Sequence, residues 1–92
     1  MYLEIVSPEA TLFSGEVDSV TVPGVNGGFE MLKDHAPIVS LLKEGFVKIS
    51  GNISLKEEVQ NKFMKGEKNT TLLKISSGTI EMKDNKVIVL AD

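Results

Sequence analysis

Residues Leu72 to Leu90 read LLKISSGTIEMKDNKVIVL, and the fold is decided here. The stretch holds three short runs, Leu72 to Ser76, Thr79 to Lys83 and Lys86 to Leu90. In the middle run Ile80 and Met82 alternate with Thr79, Glu81 and Lys83. A period of two belongs to a strand, whose successive side chains leave opposite faces. Ser77-Gly78 separates the first two runs and Asp84-Asn85 the last two, as short hairpin loops do.

The same alternation extends outward toward the start of the chain. Tyr2 to Val6 puts Leu3 and Ile5 on one face and stops at Ser7-Pro8, because proline has no amide hydrogen for a ladder. Glu16 to Val22 sets Val20 and Val22 against Val17. Pro23, Gly24, Asn26, Gly27 and Gly28 form a turn region, after which Phe29 and Met31 resume the pattern. His35 to Leu42 leads through Lys43-Glu44-Gly45 into Phe46 to Ile49. Such spacing predicts an all-β chain, a two-layer antiparallel sandwich of about eight to ten strands.

Ser50 to Asn69 is ambiguous. Ile53, Leu55, Val59 and Phe63 share a strand face, while Leu55, Val59 and Phe63 also stand four apart, as on a helix. Ser54 followed by Glu57 reads as a capping box, Lys56 to Lys65 lacks proline and glycine, and Gly66 stands where a helix would stop. These signals favour one short helix at 55–65; a long hairpin is the alternative.

The 92 residues fit one domain, 1–92, with no repeat or linker. With 41% hydrophobic and 25% charged residues the composition is that of a folding chain. A formal charge of -3 supplies none of the attraction that nucleic-acid backbones demand. No apolar run is long enough for a membrane-spanning helix, so no direct membrane insertion is expected. The absence of cysteine excludes disulfides and thiolate metal sites.

Chemistry-bearing constellations are weak. His35, the only histidine, stands between Asp34 and Ala36-Pro37, but neighbouring residues of an extended segment point apart, so Asp34 is badly placed to orient the ring. Gly24 to Gly28 lacks the Gly-Lys-Ser/Thr ending of a phosphate loop and reads as a turn. The carboxylates are dispersed, and two glycosylation patterns, at Asn52 and Asn69, read as chance. No catalytic residue, metal site, cofactor or small-molecule substrate is expected on these grounds.

Several segments resemble, in order, the epsilon subunit of F-type ATP synthases. Leu3-Glu4-Ile5-Val6-Ser7-Pro8-Glu9 and then Leu12-Phe13-Ser14-Gly15-Glu16-Val17 are similar to the family's opening strand and phenylalanine-serine-glycine turn. Val20-Thr21-Val22-Pro23-Gly24 with Gly27-Gly28 resembles its valine-rich strand and glycine loop, and His35-Ala36-Pro37 its histidine-alanine-proline element. Lys43 to Ile49, Ser76 to Met82 and Lys86 to Asp92 resemble the strands and hairpin that follow. Departures are Asp34 where glycine is usual, Gly28 where an acidic residue is common, and the long Ser50 to Asn69 stretch.

The resemblance implies the family's N-terminal β-sandwich domain, in a short form without the C-terminal helical pair. It implies a non-catalytic rotor subunit of the central stalk that binds the gamma subunit and the c-subunit ring and couples proton or sodium ion flow to ATP synthesis. Its place would be peripheral, at the cytoplasmic face of a bacterial inner membrane. Asn26, Gly27, Gly28, Phe29, Glu30, Asp34, His35, Ala36 and Pro37 are the residues carried over as partner contacts. The alternative is a small ligand- or protein-binding sandwich unrelated to the synthase.

Overall fold

A computed structural model describes residues 1–92, which form ten strands: β1 Tyr2–Val6, β2 Thr11–Glu16, β3 Ser19–Gly24, β4 Gly27–Leu32, β5 Ile38–Leu42, β6 Gly45–Ser50, β7 Phe63–Lys65, β8 Thr70–Ile75, β9 Gly78–Lys83 and β10 Lys86–Ala91. All ten belong to one hydrogen-bonded sheet of order β2-β1-β10-β9-β5-β3-β6-β8-β7, with β4 on β3. The sheet curls on itself into two layers. One holds β2, β1, β10, β9 and β5, and the other β4, β3, β6, β8 and β7. They are joined by β3, whose first half pairs with β6 through Ser19, Val20 and Thr21, while its last residue, Gly24, pairs with Leu42 of β5.

The alternation read from sequence decides what lies between the layers. Leu3, Ile5, Val20, Val22, Met31, Val47, Ile49, Ile80, Met82, Val87 and Val89 are essentially inaccessible. Each such side chain contributes about 1.5–3 kcal/mol through the apolar area it withdraws from water. No buried side-chain nitrogen or oxygen lacks a hydrogen-bond partner, so nothing polar opposes the burial.

β1 and β10 pair in parallel, Leu3 facing Val87 and Ile5 facing Val89, inside an otherwise antiparallel sheet. The turn between β9 and β10 is a true two-residue hairpin. Asp84 (φ 53°) and Asn85 (φ 62°) both take the left-handed conformation that such a turn requires and that Asp and Asn tolerate.

Three expectations need correction. Ser76-Ser77 does not close a hairpin: β8 pairs with β6 and β7, whereas β9 pairs with β10 and β5, so this connection carries the chain from one layer to the other. Neither serine has a positive φ, and the backbone therefore lacks the twist that would fold β9 back on β8. Phe13-Ser14-Gly15 is strand, not turn, its residues facing Ile5, Glu4 and Leu3, because the ladder with β1 and the burial of Leu12 and Phe13 override local turn preference. Glu16 to Val22 is interrupted at Val17-Asp18, where the amides bond to the Met1 and Ser50 carbonyls and the chain passes between layers.

The helix expected at 55–65 is shorter and tighter. A 3-10 helix covers Glu57–Lys62, its N-cap is Lys56 without a side-chain cap, and the Ser54–Glu57 box does not form. At Phe63 the backbone turns extended and enters β7, opposite Leu73. Val59 and Phe63 are buried, and Ile53 and Leu55 pack against the same core. Burial of apolar residues four apart is thus achieved by a short helical turn followed by a strand, so both readings of this stretch were half right. The segment lies on the side where β2 is one layer's free edge: Lys62 shares a surface depression with Leu12, Leu73 and Ile75.

Candidate functional site: two ends and a connecting face

The glycine-rich stretch is the β3–β4 hairpin. Its register pairs Gly24 with Gly27 and Pro23 with Gly28, leaving Val25-Asn26 as the tip. Two of its glycines have identifiable causes. Gly27 adopts a φ of 122°, closed to side-chain-bearing residues. A Cβ on Gly24 would stand 2.7 Å from the Gly27 carbonyl oxygen and 2.8 Å from the Phe29 ring. Asn26, Gly27, Gly28 and Glu30 are exposed, but the half-buried Phe29 packs against the core and offers a partner little surface.

His35 sits in the loop between β4 and β5. Asp34 has a φ of 61°, and its amide donates to Asn85 Oδ1 at 3.0 Å, which ties the loop to the β9–β10 turn. The His35 amide donates to the Leu32 carbonyl at 3.1 Å. Its Nδ1 lies 2.7 Å from the Ala36 carbonyl, an atom that only accepts, so the ring donates there and the proton sits on Nδ1. The imidazole is oriented by backbone, not by Asp34. Asp34, Ala36 and Pro37 are exposed.

These two elements are not brought together. β4 runs from one to the other, and a strand of six residues spans roughly 17–20 Å, so the hairpin tip and the His35 loop occupy opposite ends of the sandwich. No group of three or more His, Cys, Asp or Glu side chains converges anywhere, and no helix is long and apolar enough to cross a membrane.

One surface feature went unnoticed in the sequence. Val39 is 73% exposed and Leu41 61% exposed on the outer side of β5, although Ile38 and Leu42 of the same strand face inward. Through Thr79 of β9, Leu41 lines up with Leu90 of β10, 51% exposed. Exposed Val25 at the hairpin tip donates its amide to the Leu41 carbonyl at 3.1 Å. The outer face of β5 is therefore an apolar strip that starts at Pro37, beside His35, and ends at the glycine hairpin. A hint was available, since Ile38-Val39-Ser40-Leu41-Leu42 is apolar on both faces where a surface strand should alternate.

Other groups are accounted for within the chain. Lys86 pairs with Glu4 at 4.0 Å and stands over the Tyr2 ring, Tyr2 hydrogen-bonds Ser14, and Lys74 reaches Glu44 at 3.9 Å. A depression of about 360 Å³ lies between the 51–56 stretch and Thr70-Thr71, where the Gln60 amide is already bonded to the Leu55 carbonyl.

The family model described as "ATP synthase, Delta/Epsilon chain, beta-sandwich domain" matches residues 1–92. The ATP synthase epsilon chain of Chlorobaculum tepidum is 38% identical over 90 residues, 98% of this chain and 86% of that one. That of Leptospira interrogans is also 38% identical over 90 residues, 98% of this chain but 59% of the relative. Among solved structures, a chain of the Tetrahymena thermophila mitochondrial ATP synthase central stalk and c-ring superposes with a TM-score of 0.70 at 13% identity, covering 99% of this chain and 62% of that one. A chain of the Euglena gracilis mitochondrial enzyme gives 0.72 at 18%, covering 97% and 48%. At such identities these two speak for the fold alone. With the sequence relatives and the family model beside the ten-stranded sandwich, the chain belongs to the family of ATP synthase delta/epsilon chain β-sandwich domains.

Proposed function

We propose that this protein serves as a non-catalytic rotor subunit in the central stalk of an F-type ATP synthase, binding the gamma subunit and the c-subunit ring. In that role it couples ion flow to ATP synthesis from the cytoplasmic face of a bacterial membrane. The observation that carries the reading is the match of epsilon chains along 98% of its length.

The geometry is suited to the task. A body that hands rotation from a ring to a shaft needs contacts at separate places on a piece that deforms little, and a core packed at crystal-like density deforms little. The hairpin at Asn26, Gly27, Gly28 and Glu30 and the loop at Asp34, His35, Ala36 and Pro37 lie at opposite ends of such a body. Small residues at the hairpin let another backbone approach closely. His35, its Nδ1 committed to Ala36, keeps Nε2 as an acceptor for a partner's donor.

Affinity purification of the tagged chain from its native membranes tests the reading. Gamma and c subunits are expected in stoichiometric amounts, and recovery of the chain without either would refute it. Replacing His35 by Ala is expected to weaken gamma or ring association by about fivefold, the worth of one interfacial hydrogen bond. Unchanged association removes His35 from the contact set.

A further inference from the structure

We infer that the outer face of β5, β9 and β10 is the surface that lies along the gamma subunit, and that gamma meets Glu81 there with a cationic side chain. The inference rests on the central-stalk reading above and specifies the partner's chemistry. Three observations carry it.

The first is continuity. The strip formed by Val39 and Leu41 joins the two end elements, since Pro37 precedes β5 directly and Val25 is hydrogen-bonded to Leu41. A partner that lies lengthwise along the sandwich covers this strip, whereas one that touches a single end does not.

The second is exposure without internal cover. Val25, Val39, Leu41 and Leu90 are large apolar side chains brought together on one side by the register of β10, β9 and β5. Contiguous apolar surface of this kind marks a place where another macromolecule removes water. The depression beside it, lined by Val25, Leu41, Thr79 and Leu90, gives that partner a recess to fill.

The third is charge. Glu81 stands between Val39 and Ile88 in the row below Leu41, Thr79 and Leu90. The chain's ion pairs join Met1 to Glu16, Lys74 to Glu44 and Lys86 to Glu4, and Glu81 takes part in none. Lys83 and Lys86 lie one row away, Lys86 turned toward Glu4. Water solvates the Glu81 carboxylate in the free chain. Once an apolar surface settles over Val39 and Leu41 that water is lost, and an uncompensated carboxylate would oppose docking. The docking surface must therefore bring an ammonium or guanidinium group to Glu81, and this requirement rejects apolar surfaces that lack one.

The test titrates the full chain against the purified gamma subunit of its own synthase. Leu41→Asp and Glu81→Lys are each expected to weaken binding at least about tenfold. Glu81→Gln should flatten the salt dependence of the affinity, and Phe46→Ser, on the outer side of the other layer, should stay within about twofold of the parent. Leu41 and Glu81 are exposed, so unaltered thermal unfolding certifies both variants as folded. Parent-like binding by both variants overturns the inference, as does an equal loss in Phe46→Ser. Loss in Leu41→Asp with none in Glu81→Lys overturns the cation requirement. Failure of the parent chain itself to bind gamma overturns the central-stalk reading, and this inference with it.

Discussion

Ser76-Ser77 and Asp84-Asn85 are two polar pairs, each between apolar runs, and they send the chain in different directions. Asp84-Asn85 folds β10 onto β9 with both residues at positive φ. Ser76-Ser77 has no such residue, and β9 leaves β8 for the opposite layer. The crossover is held from the other side: the Asp92 amide donates to the Ser77 carbonyl at 3.1 Å, Ser77 Oγ donates to the Asp92 carboxylate at 2.7 Å, and Ser76 Oγ to the Asp92 carbonyl at 3.2 Å. Turn chemistry, more than turn length, determines whether two neighbouring strands share a layer.

The largest test of this contrast attacks the crossover at Gly78. A Cβ there would stand 2.3 Å from the Leu90 carbonyl oxygen, which is backbone and cannot rotate away. Gly78→Ala should destabilise the fold by about 3 kcal/mol, read as a lower midpoint in urea unfolding.

The hairpin breaks by a different route. Asn85→Val forces a β-branched residue into left-handed backbone and also removes the acceptor of the Asp34 amide, for a loss of about 2 kcal/mol. Asn85→Gly keeps the backbone permitted and loses only that acceptor, so it should fall within about 1 kcal/mol of the parent. Equal losses in the two variants would mean that backbone conformation is not what makes this turn a hairpin.

The smallest effect belongs to the crossover's side-chain clasp. Ser77→Ala removes one exposed hydrogen bond to Asp92 and should cost about 0.5 kcal/mol in the same denaturation assay.

Much of the sheet was legible because burial and alternation coincide. Ile80 and Met82 are buried where Glu81 and Lys83 are exposed, and the same rule places Leu3, Ile5, Val20, Val22, Val47 and Ile49 inside. Legibility fails where a choice depends on residues far away in sequence. Phe13-Ser14-Gly15 looks locally like a turn, and only the ladder with β1 makes it strand. The change from 3-10 helix to β7 at Phe63 depends on Leu73. The separation of the glycine hairpin from His35 is fixed by the run of β4 between them, which motif spacing does not reveal. The strip on β5 was obscured because Val39 and Leu41 look like core in a chain whose core is also valine and leucine.

The parallel pairing of β1 with β10 also bears on how the protein is made. Emerging from the ribosome, β1 has β2 on one side and an open edge on the other until all eight intervening strands have followed. Closure of that layer waits for the end of translation, and contacts of such long sequence separation give folding times of milliseconds to seconds. During that interval the bare edge of β1, with Leu3 and Ile5 beside it, is a target for chaperones and the place where two nascent copies would stick together.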